Sequence, residues 1–179
     1  MSYEIQYDIS SVHVATGDEA EGFLRNTQSI RNNWGTRGMT FWLGPAGADP
    51  DDFPLRIDLD PDADAAAIRW IPENLVGVVP GFESRPIRVL EDSSEPLVDI
   101  PANLVRSDLE TARNAAARYI ETGERPDLVQ WMSTERTDSI NEISGGRLPT
   151  TPELEAQLRA RIDDLGSREM AELAPLGCR

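Results

Sequence analysis

The chain of 179 residues contains no lysine, one cysteine, one histidine and no apolar run approaching the length of a bilayer crossing. Each shortage removes a class of function. A lone Cys178 excludes an intramolecular disulfide framework and every zinc site built on paired thiolates. With His13 as the only imidazole, neither a histidine metal cluster nor a metalloprotease helix can be assembled, and a nucleophile–His–acid triad would have to use this one ring. Positive charge is scarce as well: 17 arginines face 32 acidic residues, for a net charge of −15. Phosphate backbones are bound by clustered cations, so direct binding of nucleic acid is not expected. The opening MSYEIQYDIS has neither a basic n-region nor an apolar h-region, so a soluble, cytoplasmic protein without membrane contact is expected.

The signatures of catalysis are missing too. No glycine-rich phosphate loop follows a strand, and neither a G-x-S-x-G elbow nor an H-x-E with C-x-x-C occurs. Asp58, Asp60, Asp62 and Asp64 alternate in a way that suggests a calcium loop. An EF-hand loop starting at Asp58 needs Gly at its sixth position and Glu at its twelfth, where this chain has Ala63 and Arg69. No metal, no cofactor and no catalytic residue are therefore expected, and His13 is an ordinary surface or edge residue.

What is present is ordered periodicity. Tyr3, Ile5, Tyr7 and Ile9 alternate with polar residues as in a half-buried strand. Thr16 and Glu19 form a capping box, and Ala20, Phe23, Leu24, Thr27 and Ile30 predict a helix to about Ile30. Met39 to Leu43 reads as a strand, as does the alternation of Leu55, Ile57 and Leu59. Short apolar runs at 67–71, 75–79 and 87–90 are spaced as in an antiparallel meander. Ser107 and Glu110 make a second capping box before the stripe Leu109, Ala112, Ala116 and Ile120, which ends at Gly123; a last strand follows over 128–132. The expected fold class is α+β, a meandering antiparallel sheet with helices packed on one face. Residues 1–132 form that domain and 133–149 a connector. Thr151, Pro152 and the stripe Leu154, Leu158, Ile162 and Leu165 predict a C-terminal helical extension over 150–179, packed on the domain.

The acidity is concentrated. Asp49, Asp51, Asp52, Asp58, Asp60, Asp62 and Asp64 face only Arg56 over their stretch, and Glu91, Asp92 and Glu95 lie in a second acidic loop ending at Asp99. These are the candidate partner-binding residues, since such a field attracts basic macromolecules and speeds encounter with them. It equally serves solubility. Trp131 follows the best helix in an apolar strand and is assigned to the core, whereas Trp70 divides between core and interface.

The run Ala115 to Trp131, reading AAARYIETGERPDLVQW, resembles the C-terminal signature of the first class of immunity proteins from bacterial polymorphic toxin systems, in which a helix ends in T-G-x-R-P before a strand with a Trp. Ile100-Pro101, Trp42-Leu43-Gly44 and the strand Ala67 to Trp70 fall in the family's order. In physical terms Gly123 stops the helix in a left-handed conformation, Arg125 caps its last carbonyls and Pro126 launches the strand. The resemblance implies a non-enzymatic protein that binds a cognate toxin domain, frequently a nucleic-acid deaminase or nuclease, and occludes its active site. Charge agrees with a basic partner that acts on nucleic acid. A small hydrolase using paired aspartates, or an acidic adaptor for another basic protein, are the alternatives.

Overall fold

The computed structural model describes residues 2–134. Over these the chain forms a seven-stranded antiparallel sheet, two helices and a separate two-stranded ribbon. The strands of the sheet are β1 (Tyr3–Tyr7), β2 (Ser10–Val14), β3 (Met39–Pro45), β4 (Leu55–Asp60), β5 (Ala65–Trp70), β6 (Leu75–Val78) and, after the ribbon strands β7 (Ile87–Val89) and β8 (Val98–Ile100), β9 (Gln130–Ser133). Their spatial order is β2-β1-β3-β4-β5-β6-β9. Helices α1 (Gly17–Thr27) and α2 (Leu109–Thr122) share the core of one sheet face. The α+β class and the meander expected from the sequence are what the chain adopts. The predicted connector and C-terminal helix lie outside the described residues.

Alternation decides which side chains meet the helices. Ile5, Phe41, Leu43, Leu55, Ile57 and Ile68 point to the helical face and are out of solvent, together with Ala112, Ala115, Ala116 and Tyr119 of α2. Burying each of the large aliphatic chains contributes about 1.5–3 kcal/mol. The alanines keep α2 close to the sheet, and the edge of Tyr3 meets the Tyr119 ring at 5.4 Å. Gly17 lets the helices meet, because a Cβ there would lie 2.9 Å from the Ala117 carbonyl oxygen.

The local signals are mostly where the sequence puts them. Thr16 caps α1 by accepting from the Glu19 amide, and Glu19 in turn accepts from Ala15. Helix α1 stops at Thr27, short of Ile30, where the Thr27 hydroxyl donates back to the Phe23 and Leu24 carbonyls. Helix α2 is capped by Asp108, one residue later than expected, through Thr111 N–H at 2.7 Å. Ser107 is not free to cap, since its backbone bridges Ala66 on β5. At the other end Gly123 adopts φ +70° and donates to the Tyr119 carbonyl, the expected left-handed stop.

Three expectations are corrected. The run 87–90 leaves the meander and pairs with Val98–Ile100, forming a ribbon whose Ile87, Val89 and Ile100 cover Ala65 and Ala67 on the face opposite the helices. Arg125 does not cap the last carbonyls of α2; its guanidinium reaches Glu73 at 2.7 Å and lies 5.9 Å from the Trp131 ring. Trp131 is half-buried at the edge of the core, on β9, with its indole N–H donating to the Pro126 carbonyl at 2.7 Å.

Candidate partner-binding face

The face opposite the helices is lined by the polar positions of the same alternation. Thr40 and Trp42 on β3 stand in register with Asp58 and Arg56 on β4, and Arg56 stands in register with Arg69 on β5. Two cations directly across a strand pair repel each other. Asp58 offsets this: one oxygen accepts from Arg56 Nε at 2.9 Å and from Thr40 Oγ1 at 2.8 Å, the other from Arg69 Nη2 at 2.9 Å. Arg56 continues outward in a two-pronged pair with Glu91, at 2.8 and 3.1 Å. Its guanidinium carbon lies 4.6 Å from the Trp42 ring centroid. Arg56 is 6% exposed and Asp58 0%. A buried charge is tolerated only when paired and hydrogen-bonded, as both are here.

Beside this network the face is open. A hollow of about 280 Å³ is lined by Gln6, Trp42, Pro50, Asp51, Ile71 and Glu91. A second, of about 190 Å³, shares Gln6 and Pro50 with this groove and is also lined by Glu4, Ile9 and the start of β2. Pro50, the first residue of the single-turn helix Pro50–Asp52 capped by Asp49, lines both. A hollow of about 470 Å³ lies between the start of α1 and the end of α2, where the Thr16 hydroxyl is already engaged in capping.

The seven aspartates expected to form one docking edge are separated by β4. Asp49, Asp51 and Asp52 precede the strand and are exposed, with Asp51 on the groove. Asp58 and Asp60 lie within it and are buried, which corrects their assignment to a partner surface. Asp60 is occupied with the turn that follows, accepting from the amides of Asp62 and Ala63. Asp62 and Asp64 follow the strand, about 17 Å along its six residues. Asp62 is held by the Arg37 amide and guanidinium, which keep its carboxyl below the ordinary carboxylate range. Asp64 is exposed at φ +49°, in the turn.

Of the other expected site residues, Glu91 lines the groove. Asp92 accepts from the Ser94 hydroxyl and amide, and these bonds lower its pKa. Glu95 is exposed on the same loop. Trp70 points to the helical face, packed edge-on against Tyr119 at 6.0 Å and Trp131 at 6.5 Å, and is removed from the groove. Sequence reasoning missed Trp42 and Gln6. Their signal was available, since both alternate with helix-facing residues and so stand on the opposite face.

Among the described residues no group of three His, Cys, Asp or Glu side chains is arranged to hold a metal ion, and no helix is long and apolar enough to cross a membrane. The family described as Immunity protein Imm1 has a model that matches residues 84–133. The matched stretch contains the T-G-x-R-P signature and the Trp131 strand, so the resemblance is borne out over this part of the chain. It also contains Glu91, whereas Gln6, Trp42 and Asp51 lie outside it. No curated protein matches the chain.

Proposed function

We propose, from the family match over residues 84–133, that this chain is an immunity protein that binds a cognate bacterial toxin domain and occludes its active site. The match is the observation that carries the reading. A stoichiometric binder needs a rigid surface rather than a reactive group, and the network Thr40–Asp58–Arg56–Glu91 supplies rigidity while leaving Asp58 no route to a substrate. The net charge of −15 favours a basic partner, which suits a toxin acting on nucleic acid such as a deaminase or nuclease. Inhibition then needs no catalysis by this chain. It works in the cytoplasm of the producing cell, where the toxin would otherwise act.

The test is genetic and direct. A toxin gene beside the gene for this chain is expressed alone and together with it; killing alone and survival together support the reading. Killing in both cases refutes it for that toxin. Mixing the purified proteins should give a complex of one to one stoichiometry by light scattering, with the toxin's activity lost in proportion to the amount of complex.

A further inference from the structure

We propose that the groove lined by Gln6, Trp42, Pro50, Asp51, Ile71 and Glu91 receives an arginine side chain of the partner protein, stacked among Trp42, Pro50 and Ile71 with its guanidinium on Glu91. The partner's identity as a toxin rests on the immunity reading; the groove's preference for arginine rests on its own chemistry.

Charge comes first. This groove and the neighbouring hollow are lined by three carboxylates, Glu4, Asp51 and Glu91, and among the described residues by no basic side chain. Arg56 and Arg69 lie beneath, and Asp58 and Glu91 balance them. Among the described residues, Asp51 and Glu4 meet no cation and stay as negative charge on the open side. A cation entering the groove restores the balance.

Shape selects among cations. An ammonium group is compact and strongly hydrated, whereas a guanidinium is planar, weakly hydrated and stacks on aromatic and flat apolar surfaces. Trp42, Pro50 and Ile71 offer such surfaces, and Ile71 is 39% exposed. Glu91 is already immobilised by its two bonds to Arg56, so its carboxylate edge loses little rotamer freedom when a second guanidinium binds. Gln6 lines both hollows.

The experiment uses the full chain labelled with nitrogen-15 and titrated with the capped peptide Gly-Arg-Gly, with Gly-Lys-Gly and Gly-citrulline-Gly as controls. The Trp42 indole resonance is identified from Trp42→Phe. Expected is a saturable shift of the Trp42 indole and Gln6 amide signals with the arginine peptide, weaker with lysine and absent with citrulline, which keeps the shape but not the charge. Glu91→Gln should weaken binding about tenfold, as expected for a charge-assisted hydrogen bond. Since that change also disturbs Arg56, the double variant Glu4→Gln, Asp51→Asn provides the independent arm. Among the described residues neither side chain has a partner, so the fold is retained while affinity falls several-fold. Equal shifts with arginine and citrulline, shifts confined to other tryptophans, or unchanged affinity in the double variant would overturn the proposal. Arginine binding in the groove by a chain that fails to protect cells would sustain it and refute the immunity reading instead.

Discussion

Arg56 and Asp58 stand two positions apart on β4 and are joined Nε to Oδ1 at 2.9 Å, with both side chains withdrawn from solvent. Because Asp58 also receives Arg69 and Thr40, one carboxylate satisfies three donors at the centre of the sheet. Asp58→Ala would leave two guanidinium groups facing each other across β4 and β5 with their shared anion gone. The expected loss is about 3–5 kcal/mol, the range for breaking a buried pair by removing one partner. Asp58→Asn keeps an oxygen acceptor and should lose less. Urea unfolding of the two variants against the parent measures both.

This network also shows how far the sequence could be read. Leu55, Ile57 and Leu59 announce a strand with one apolar face, and that much holds. The intervening Arg56, Asp58 and Asp60 look like the solvated side of the same strand, because alternation reveals two faces without revealing what covers the second. The covering element is the ribbon β7–β8, whose strands are three residues each, too short to distinguish from one more rung of the meander. Strand β2 is only half legible: Val12 and Val14 alternate with His13, but Ser10 and Ser11 carry no apolar signal, and the hairpin depends on Asp8 accepting φ +49°. Helices were legible through Thr16, Glu19 and Gly123, whose roles are local. The groove was not, since Gln6, Trp42, Pro50 and Glu91 meet only through sheet order.

Two glycines of the helices should respond oppositely to the same substitution. Gly22, inside α1, has no atom within 4 Å of an added Cβ and an ordinary φ, so Gly22→Ala should stabilise by about 0.5–1 kcal/mol through helix propensity. Gly123 has φ +70°, and its Cβ would lie 2.7 Å from the Tyr3 hydroxyl. Gly123→Ala should cost at least about 1–2 kcal/mol for the left-handed backbone alone. Thermal melts that move in the same direction for both would show that the helix end is not held as described.

Tyr119 gives a pH dependence with a definite sign. Burial among the core residues, with a smaller effect from Tyr3, raises its phenol from 10.0 to about 12. The folded state thus keeps this proton at pH values where the unfolded chain has released it. Its contribution to stability is complete below about pH 10, falls as pH rises from there and is lost through about 12. Absorbance titration should show a late tyrosine component near pH 12 that disappears in Tyr119→Phe. The alkaline fall in stability should be shallower in that variant.

The division of the acidic segment by β4 predicts that its two ends act differently on a partner. Asp49, Asp51 and Asp52 are exposed beside the groove and among the described residues pair with no arginine, whereas Asp62 at the far end is engaged with Arg37 and Arg31. Rim charges of this kind act mainly on the rate of encounter, and their effect fades as salt shortens the Debye length. Replacing the three groove-side aspartates by Asn keeps the cap at position 49, because Asn accepts the same amide bond. The variant should associate with the proposed toxin partner about tenfold more slowly at low salt and approach the parent as salt is raised. Asp62→Asn with Asp64→Asn should change association little, since part of that charge is already neutralised. Stopped-flow fluorescence at several salt concentrations separates the cases. Should the far-end variant slow association while the groove-side variant behaves as the parent does, the partner docks at the β4–β5 turn and the groove is not its point of entry.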